Sequence, residues 1–566
     1  MQNFKNLPTE YQIGETPWNV YPRPTLKRNS FYCLNGKWNF GISQPENPIF
    51  DREIIVPFPP ESTLSNVGEV FDESETLYYK KVFSLPDNFV KDKVLLHFGA
   101  VDQKAKVFLN GNFLGEHIGG YTPFSFDITP YLLQENILVV EVIDTLSDNV
   151  LPYGKQKKKR GGMWYTPVSG IWQTVWLESV PENYIKGVTY SIDGDTVKIF
   201  IDGVSSAQVI VTCPEGELSF QAIDGVAKIK IEKPILWSPE NPYLYHYTIK
   251  AEKDEISSYF AIRTLSIENI NGIPRTLLNG KPYFFHGLLD QGYFSDGIFT
   301  PANQNAYTDE IKKVKALGFN TLRKHIKVEP QFFYAECDRL GIIVWQDMVN
   351  NGKYSFFKDT AIPTVIRYYK RNDKKRHKDV ATRNAFISNM TKTVEFLKNH
   401  PSICLWTIFN EGWGQFESEK AYDILKKLDK TRFIDTTSGW FKCGNSDFES
   451  KHIYFRKIKI KPCEKPVILS EFGGYAYRVE NHIFNEEKSF GYANCKTREE
   501  FVTRLVSLYE SQVIPAIKQG LCASIYTQVS DVEDEINGIF TYDRKVEKIL
   551  PEEFINVSNK LYREIE

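Results

Sequence analysis

Two glutamates in the second half of the chain each follow an apolar run of residues. Glu411 comes after Ile403–Phe409, with Asn410 between them, and Glu471 comes directly after Val467–Ser470. Apolar runs of this length predict buried β-strands, so both carboxylates are expected where a strand leaves the core. Two such carboxylates can cleave a glycosidic bond, one as the acid that protonates the leaving oxygen and the other as nucleophile or base. Either glutamate alone could instead begin a helix or join an ion pair.

Other polar and aromatic residues lie near the ends of neighbouring predicted strands. Asn410 offers an amide to a sugar hydroxyl beside the reacting carbon, and Tyr454 could donate a hydrogen bond that keeps a carboxylate ionised. The remaining candidates are Arg323, His325, His286, Asp290, Trp413, Trp440 and Tyr526. For each of these the sequence leaves two roles open, a contact with a sugar or a structural contact inside the protein.

A regular alternation of strands and helices positions these residues. The strand candidates are Tyr283–Leu288, Thr321–His325, Ile342–Gln346, Ile403–Phe409, Phe433–Thr437, His452–Phe455, Val467–Ser470 and Ala523–Gln528, and the first two helices are expected over Asp309–Leu317 and Gln331–Leu340. Strands repeated in this way favour a (β/α)₈ barrel over an open sheet. Because barrel enzymes carry their active sites at the carboxyl ends of the strands, strands four and seven are expected to bring Glu411 and Glu471 to one mouth.

The first half of the chain is rich in short β segments and shows no long helical period. Lys104–Leu109 alternates between apolar and polar residues, and the Asn110-Gly111 pair after it is typical of a tight hairpin. The pattern predicts a β-sandwich over residues 1–183, a small immunoglobulin-like sandwich over 184–272 and the barrel over 273–566. The expected fold class is therefore multidomain, with β domains first and an α/β domain last.

Composition excludes several classes of protein. The 566 residues are 42% hydrophobic and 14% aromatic with a formal net charge of -2, which argues against disorder and against a general attraction to nucleic acid or membranes. No apolar stretch approaches the ~20 residues of a transmembrane helix. Eight dispersed cysteines without a CxxC pair, together with a polar start at Met1–Glu10, predict a cytoplasmic protein with reduced thiols and no zinc site.

Two basic runs, Lys155–Arg160 and Arg371–Lys378, stand out in this near-neutral chain. Such runs are usually solvated loops. The first lies among glycines, and the second lies in a long insertion between strands three and four, where insertions often border an active site. Either run could therefore contact an acidic group of a substrate or of a partner subunit.

Several motifs together resemble glycoside hydrolase family 2, which includes β-galactosidases, β-glucuronidases and β-mannosidases. They are Tyr21–Pro24, Leu34–Phe40, Trp164–Gln173, Leu236–Tyr245, Asn410-Glu411 and Ser470–Gly473. The resemblance implies a jelly-roll sugar-binding domain, an immunoglobulin-like domain and a TIM barrel in that order. It also implies an exo-acting, retaining double displacement with Glu411 as acid/base and Glu471 as nucleophile.

The same resemblance implies roles for four neighbouring residues. Asn410 is expected to bind the 2-hydroxyl of the sugar, and Tyr454 is expected to contact the nucleophile. Arg323 and His325 fall where the family carries an arginine and a histidine on strand two. Here one residue separates them, whereas the family pattern often has two, which leaves the role of the histidine open.

The family pattern also bears on the sugar and on metals. Family β-glucuronidases carry an Asn-x-Lys pair before a Gly-Ile-Phe-Thr stretch, whereas Glu535–Thr541 has no lysine there and follows another acidic residue, Asp534. Negative charge opposes binding of a glucuronate, so a neutral sugar is expected and β-galactosidase is the leading prediction. Trp345–Val349 lacks the Glu-x-His pair of the magnesium site in large family β-galactosidases, so no metal and no cofactor are expected.

Two alternatives stay open. One is a β-glucuronidase or other hexuronidase whose carboxylate-binding cation comes from Lys155–Arg160 or from Lys324. The other is a carbohydrate-binding protein that keeps the fold without catalysis. The expected partner is a β-glycoside, with no nucleic acid and no membrane, and a homo-oligomer is expected from the resemblance alone.

Overall fold

The computed structural model of the chain describes residues 7–43, 48–363, 372–442 and 444–565. Arg371 of the second basic run and Cys443, one of the eight dispersed cysteines, lie outside these ranges. Among the described residues, no helix has both the length and the apolar character that a bilayer crossing requires.

The N-terminal part consists of two antiparallel sheets around one core. The six-stranded sheet has the spatial order Arg52–Val56, Gly36–Ser43, Thr76–Phe83, Asn136–Ile143, Lys104–Leu109 and Asn112–Ile118. The four-stranded sheet has the order Phe31–Cys33, Val175–Val180, Lys93–Phe98 and Phe124–Asp127, and Gly170–Ile171 pairs with Val101–Asp102. The predicted alternation over Lys104–Leu109 is confirmed, because Ala105, Val107 and Leu109 are buried.

The next part is a seven-stranded antiparallel sheet with its own apolar core. Its strands are, in spatial order, Gly187–Asp193, Thr196–Asp202, Val226–Lys230, Gly216–Ile223, Ser206–Cys213, Tyr245–Ala251 and Asp254–Phe260. Every second residue points into the core, as Val209 and Val211 do. A short ladder of Leu265–Ile270, Ile273–Leu278 and Lys281–Pro282 then leads into the barrel.

The C-terminal part is a nearly closed barrel of eight parallel strands, as predicted. The strands are β1 (Phe285–Asp290), β2 (Thr321–Lys324), β3 (Ile343–Asp347), β4 (Ile403–Asn410), β5 (Phe433–Ser438), β6 (Glu449–Ile453), β7 (Val467–Phe472) and β8 (Leu521–Tyr526). Their order around the sheet is β5-β4-β3-β2-β1-β8-β7-β6. The strand pair Tyr475–Tyr477 and Ala493–Cys495 lies after β7.

Helices alternate with the barrel strands. In the described residues they are α1 (Asn305–Ala316), α2 (Gln331–Leu340), α3 (Val380–Leu397), α4 (Ser418–Leu428), α5 (Arg498–Leu508), α6 (Ile514–Ile517) and α7 (Pro551–Ile565). Gly318 and Gly341, placed just after α1 and α2, have left-handed φ angles of 89° and 73°. A glycine adopts this conformation without strain, which explains why both helices end where the sequence predicts.

The barrel strands are buried on both sides. Their inward side chains, such as Phe285, Leu289, Trp345 and Leu405, form a core inside the barrel, and the outward ones pack against the helices. Burial on both faces explains why the strands read as continuous apolar runs. Polar residues therefore concentrate at the carboxyl ends, where the core meets a cleft.

Candidate active site

The two predicted carboxylates meet at the carboxyl end of the barrel. Glu411 follows β4 directly in a left-handed conformation (φ 51°), and its N–H donates to the carbonyl of Ser438 at 2.9 Å. Glu471 lies in β7, and both glutamates are buried. One carboxylate oxygen of each and one nitrogen of His452 lie within 4.8 Å of one another. This separation fits a retaining glycosidase, in which the two carboxyl groups lie about 5–5.5 Å apart.

Cationic and hydroxyl groups surround Glu471. Its Oε1 accepts a hydrogen bond from Nη1 of Arg323 at 3.1 Å, and its Oε2 accepts one from the hydroxyl of Tyr454. Burial by itself raises the pKa of Glu471, but His452, Arg323 and His325 and the Tyr454 hydrogen bond outweigh it and lower that pKa to about 2. Glu471 is therefore ionised at neutral pH, as a nucleophile must be.

Arg323 fixes several groups of the site at once. Its Nε donates to Oδ1 of Asp347 at 3.0 Å, its Nη1 to the carbonyl of Ser470 at 2.9 Å and its Nη2 to Oδ1 of Asn410 at 2.9 Å. Because the amide oxygen of Asn410 is occupied, its NH₂ group is the part that remains for a sugar hydroxyl.

His325 is held against the same aspartate. Its Nδ1 lies 2.6 Å from Oδ2 of Asp347. Burial, and after it the positive charge of Lys155, lowers the pKa of His325 to about 4. The imidazole is therefore neutral at pH 7, and Asp347, which links His325 to Arg323, is a site residue that the sequence did not reveal.

Glu411 has a different neighbourhood. Its Oε1 lies 2.8 Å from Nδ1 of His452. The wall beside it is aromatic: the ring of Trp413 stacks on Trp164 at 5.3 Å and meets Tyr354 edge-on at 5.2 Å. Trp164 comes from the N-terminal sandwich, so that domain closes one side of the cleft.

His452 joins the two carboxylates and was missed in the sequence. Its Nδ1 lies 2.8 Å from Glu411 and 3.6 Å from Oε2 of Glu471, while its Nε2 lies 2.8 Å from Oγ of Ser438. The signal was its spacing, because a residue two places before Tyr454 on a strand points to the same side as that tyrosine.

Three predicted site residues are corrected. His286 points outward from β1, is fully buried and packs against Phe319 of the barrel wall and Phe554 of α7. Tyr526 is also buried, and its hydroxyl accepts a hydrogen bond from the N–H of Tyr475 at 3.0 Å, so no ring face is open to a sugar.

Asp290 is the third correction. The sequence placed it at the end of strand one, and β1 does end there, but its side chain points outward. There its Oδ2 pairs with Nζ of Lys324 at 2.5 Å. Of the two roles that the sequence left open, the structure therefore supports the ion pair, and the same pair engages Lys324, which also contacts Glu329 at 2.9 Å.

Trp440 remains a candidate for sugar contact. Its ring lies 5.7 Å from that of His452, and its Nε1 has no hydrogen-bond partner among the described residues. A cavity of about 510 Å³ opens beside Trp440, His452 and Tyr454. The cavity is large enough for a sugar unit.

The donor set of Glu411, His452 and Glu471 could also accept a metal ion, since two carboxylates and an imidazole are ligands that Zn²⁺ binds. Both carboxylate oxygens of Glu471 already accept hydrogen bonds, from Arg323 and from Tyr454. That a metal is not required stays a prediction from the sequence.

Three consecutive parts of the chain match one family. Residues 36–181 match the sugar binding domain of glycosyl hydrolases family 2, and residues 273–553 match the TIM barrel domain of that family. Residues 184–263, between them, match the family model described simply as glycosyl hydrolases family 2. The chain belongs to glycosyl hydrolases family 2. The resemblance seen in the sequence is thereby confirmed, and the chain is a family glycoside hydrolase whose substrate class is carbohydrate.

Relatives within family 2 carry two different names. A β-galactosidase of Thermoanaerobacter pseudethanolicus is 26% identical over 447 residues, which cover 72% of this chain and 55% of that protein. A β-glucuronidase of Streptococcus agalactiae is 23% identical over 520 residues, which cover 80% and 84%. The solved β-D-glucuronidase of Dictyoglomus thermophilum superposes with a TM-score of 0.70 at 20% identity over 96% of this chain and 98% of that one. The structural likeness shows a shared fold.

Proposed function

We propose that this family 2 protein hydrolyses terminal β-glycosides with retention, using Glu471 as nucleophile and Glu411 as acid/base. The observation that carries the proposal is the convergence of two buried carboxylates, with oxygens within 4.8 Å, in unlike surroundings. Glu471 is held ionised by cations, whereas Glu411 faces an aromatic wall and one imidazole. Such a difference separates the roles of two identical side chains.

The reaction takes two steps. First, Glu411 donates its proton to the leaving oxygen while the carboxylate of Glu471 attacks the anomeric carbon, and a glycosyl-enzyme ester forms as the glycosidic bond breaks. Then Glu411 accepts a proton from water, and the resulting nucleophile releases the sugar from Glu471. Arg323 and Tyr454 orient the attacking carboxylate, and the NH₂ group of Asn410 is placed for the neighbouring hydroxyl.

Two sugars are candidates. The Thermoanaerobacter relative is named a β-galactosidase, which favours the neutral galactoside that the sequence predicted. Several relatives are named β-glucuronidases, which favours a hexuronide. A cytoplasmic location, a homo-oligomer and the domain limits at residues 183 and 272 also stay proposals from the sequence.

Product stereochemistry tests the proposed mechanism. Hydrolysis of 4-nitrophenyl β-D-galactoside and β-D-glucuronide, followed by proton NMR within the first minutes, is expected to show the β-anomer of the released sugar first. First appearance of the α-anomer would contradict the retaining pair. Sugar binding with no turnover on either substrate would favour the non-catalytic alternative.

A further inference from the structure

One lysine of the cleft carries an ammonium group without a counter-ion among the described residues. Lys155, from the first basic run, is 8% exposed. Within the described residues its Nζ makes neither a hydrogen bond nor an ion pair, and it lies 5.5 Å from the ring centre of Tyr165 and 6.0 Å from that of Trp413. Basic runs are usually solvated loops, but this lysine is packed against the protein.

The surroundings of Lys155 belong to the active site. Trp413 lies two residues beyond Glu411, and the hydroxyl of Tyr165 donates to Glu535 beside the cleft. Lys155 is also near enough to His325 for its charge to lower the pKa of that imidazole. The ammonium therefore lies between the end of β2, the loop after β4 and the N-terminal sandwich.

The backbone fixes the direction of the side chain. The backbone N–H of Tyr165 donates to the carbonyl of Lys155 at 3.0 Å, and the backbone N–H of Lys157 donates to the carbonyl of Tyr165 at 3.1 Å. Gln156, the residue between the two lysines, points away, and its Nε2 donates to Asp102 at 2.9 Å. Lys157 also faces the barrel, since its Nζ lies 3.7 Å from the ring centre of Trp164 and 5.0 Å from that of Tyr354.

The glycine before this segment shows how closely it approaches the barrel. A Cβ at Gly154 would lie 2.9 Å from the carbonyl oxygen of Ile326, which follows β2, and 3.7 Å from Val349, which follows β3. The segment is thus seated on the barrel mouth, and the position of Lys155 does not depend on a free loop.

The acidic run that argued for a neutral sugar is already engaged by the protein. Nη1 of Arg160 lies 3.1 Å from Asp534 and 3.5 Å from Glu533. Glu535 accepts hydrogen bonds from Tyr165 and, at 3.1 Å, from Nδ2 of Asn537. Burial raises the pKa of Glu533 to about 7, which further reduces its charge at neutral pH. The repulsion expected from the sequence is therefore reduced.

A cation without a counter-ion beside an active site is a candidate for binding an anion. The Lys155 ammonium makes neither a hydrogen bond nor an ion pair among the described residues, so it is free to form a charge-assisted hydrogen bond with a carboxylate, and such bonds are strong. Lys155 meets an aromatic wall and neutral His325 instead of a carboxylate. An anionic substrate group would complete this site.

We propose that Lys155 binds the carboxylate of the glycone, so that this glycosidase acts on β-hexuronides. The proposal rests on the proposed function and assigns to the N-terminal domain the cation that the 535–541 motif lacks. It names a specificity residue and leaves the roles of Glu411 and Glu471 unchanged.

The test compares sugars that share one leaving group. kcat/KM is measured for 4-nitrophenyl β-D-glucuronide, β-D-galacturonide and β-D-galactoside in the wild type and in Lys155→Met and Lys155→Arg. A hydrogen bond to a charged group corresponds to roughly a 10- to 100-fold effect on binding. We expect Lys155→Met to lower uronide hydrolysis by about that factor, Lys155→Arg to retain most of it, and galactoside hydrolysis to change less than about twofold.

Lys158→Met is the matched control, because Lys158 is on the same segment but pairs at the surface with Asp72 and Glu73 at 3.5 Å. It is expected to leave all three rates unchanged. A second readout is the melting temperature, which Lys155→Met is not expected to lower, since the ammonium makes neither a hydrogen bond nor an ion pair among the described residues. A fall in the melting temperature would mean that the lysine serves the fold.

Each result decides the proposal. Equal losses on uronides and galactoside, or a wild type that prefers the galactoside, would overturn the role of Lys155 while the retaining mechanism stands. If the protein hydrolysed none of these glycosides, the proposed function would be overturned, and sugar binding would then decide the role of Lys155. In that case glucuronate and galacturonate, but not galactose, should raise the melting temperature of the wild type, and neither should raise that of Lys155→Met. The last control compares 3-carboxyumbelliferyl with 4-methylumbelliferyl β-D-galactoside, which differ in the charge of the leaving group. If Lys155→Met lowered hydrolysis only of the substrate with the acidic leaving group, Lys155 would bind an anion on the aglycone, and the proposal of a hexuronide substrate would be overturned.

Discussion

The mouths of β4 and β7 each present a glutamate, yet the protein surrounds the two differently. Glu471 accepts hydrogen bonds from Arg323 and Tyr454, and these groups with His452 lower its pKa to about 2. Glu411 is bonded to His452 and faces the aromatic wall that contains Trp413. The comparison teaches that the chemical role of a carboxylate is set by its neighbours, because the side chains themselves are identical.

The largest expected effect follows from removing either carboxylate. Glu471→Ala should lower kcat by at least about 10⁴-fold, since no group remains to form the glycosyl-enzyme. Added azide should then enter from the empty side and yield the α-glycosyl azide. Glu411→Ala should instead yield the β-glycosyl azide, because azide intercepts the glycosyl-enzyme from the other face.

The control for both is Glu510→Ala, which changes an exposed glutamate paired with Lys560 at the surface. It should retain full activity. If both active-site variants gave the same azide anomer, the division of roles between Glu411 and Glu471 would be wrong.

The sequence predicted the two glutamates because an apolar strand that turns polar at its end is visible without coordinates. It could not decide which residues of a strand face inward. His286 and Tyr526 lie on strands that are buried on both faces, so no alternation of polar and apolar residues marked the inner side. Asn410, Arg323, Tyr454 and His325 lie at or near the carboxyl ends of their strands, and their roles toward a sugar stay predictions.

Removing the hydroxyl that supports Glu471 is expected to have an intermediate effect. Tyr454→Phe should lower kcat roughly 10- to 100-fold, since a hydrogen bond to a charged group is lost. It should also raise the pKa of Glu471 from about 2. Only the ionised carboxylate is nucleophilic, so activity should begin to fall at a higher pH in the variant than in the wild type as the pH is lowered.

The pH profile of kcat/KM, which reports groups of the free enzyme, is the measurement. Tyr475→Phe, which removes a tyrosine hydroxyl that does not contact either glutamate, serves as the control. An acid limb that did not move in Tyr454→Phe would show that the tyrosine does not support the charge of Glu471.

The smallest effect is expected from replacing His452, whose imidazole lies between the two glutamates. His452→Gln should lower kcat about 10-fold on glycosides with poor leaving groups and less on 2,4-dinitrophenyl glycosides, because the imidazole positions the group that protonates the leaving oxygen. His482→Gln, at a half-buried histidine bonded to Asp543, is the matched control. If the fall in kcat did not depend on the leaving group, His452 would support the nucleophile Glu471 and not the acid Glu411.

Contacts between distant parts of the chain explain what sequence reasoning did not reach. Trp164 and Lys155 are more than 240 residues away from Trp413, yet they meet it at the barrel mouth. In the sequence, Trp164 was part of a family motif and Lys155 was part of a basic run, and neither pattern showed a contact with the barrel. The charge balance of residues 533–535 likewise depended on Arg160, whose position the sequence does not give.

Covalent trapping tests the central claim most directly. The protein is incubated with the 2-deoxy-2-fluoro β-glycosyl fluorides of galactose and glucuronic acid, and its peptides are analysed by mass spectrometry. We expect one fluoroglycosyl group on the peptide that contains Glu471, and none in Glu471→Gln. A label on another residue, or turnover of the 4-nitrophenyl glycosides without any trapped intermediate, would contradict the assignment of the nucleophile.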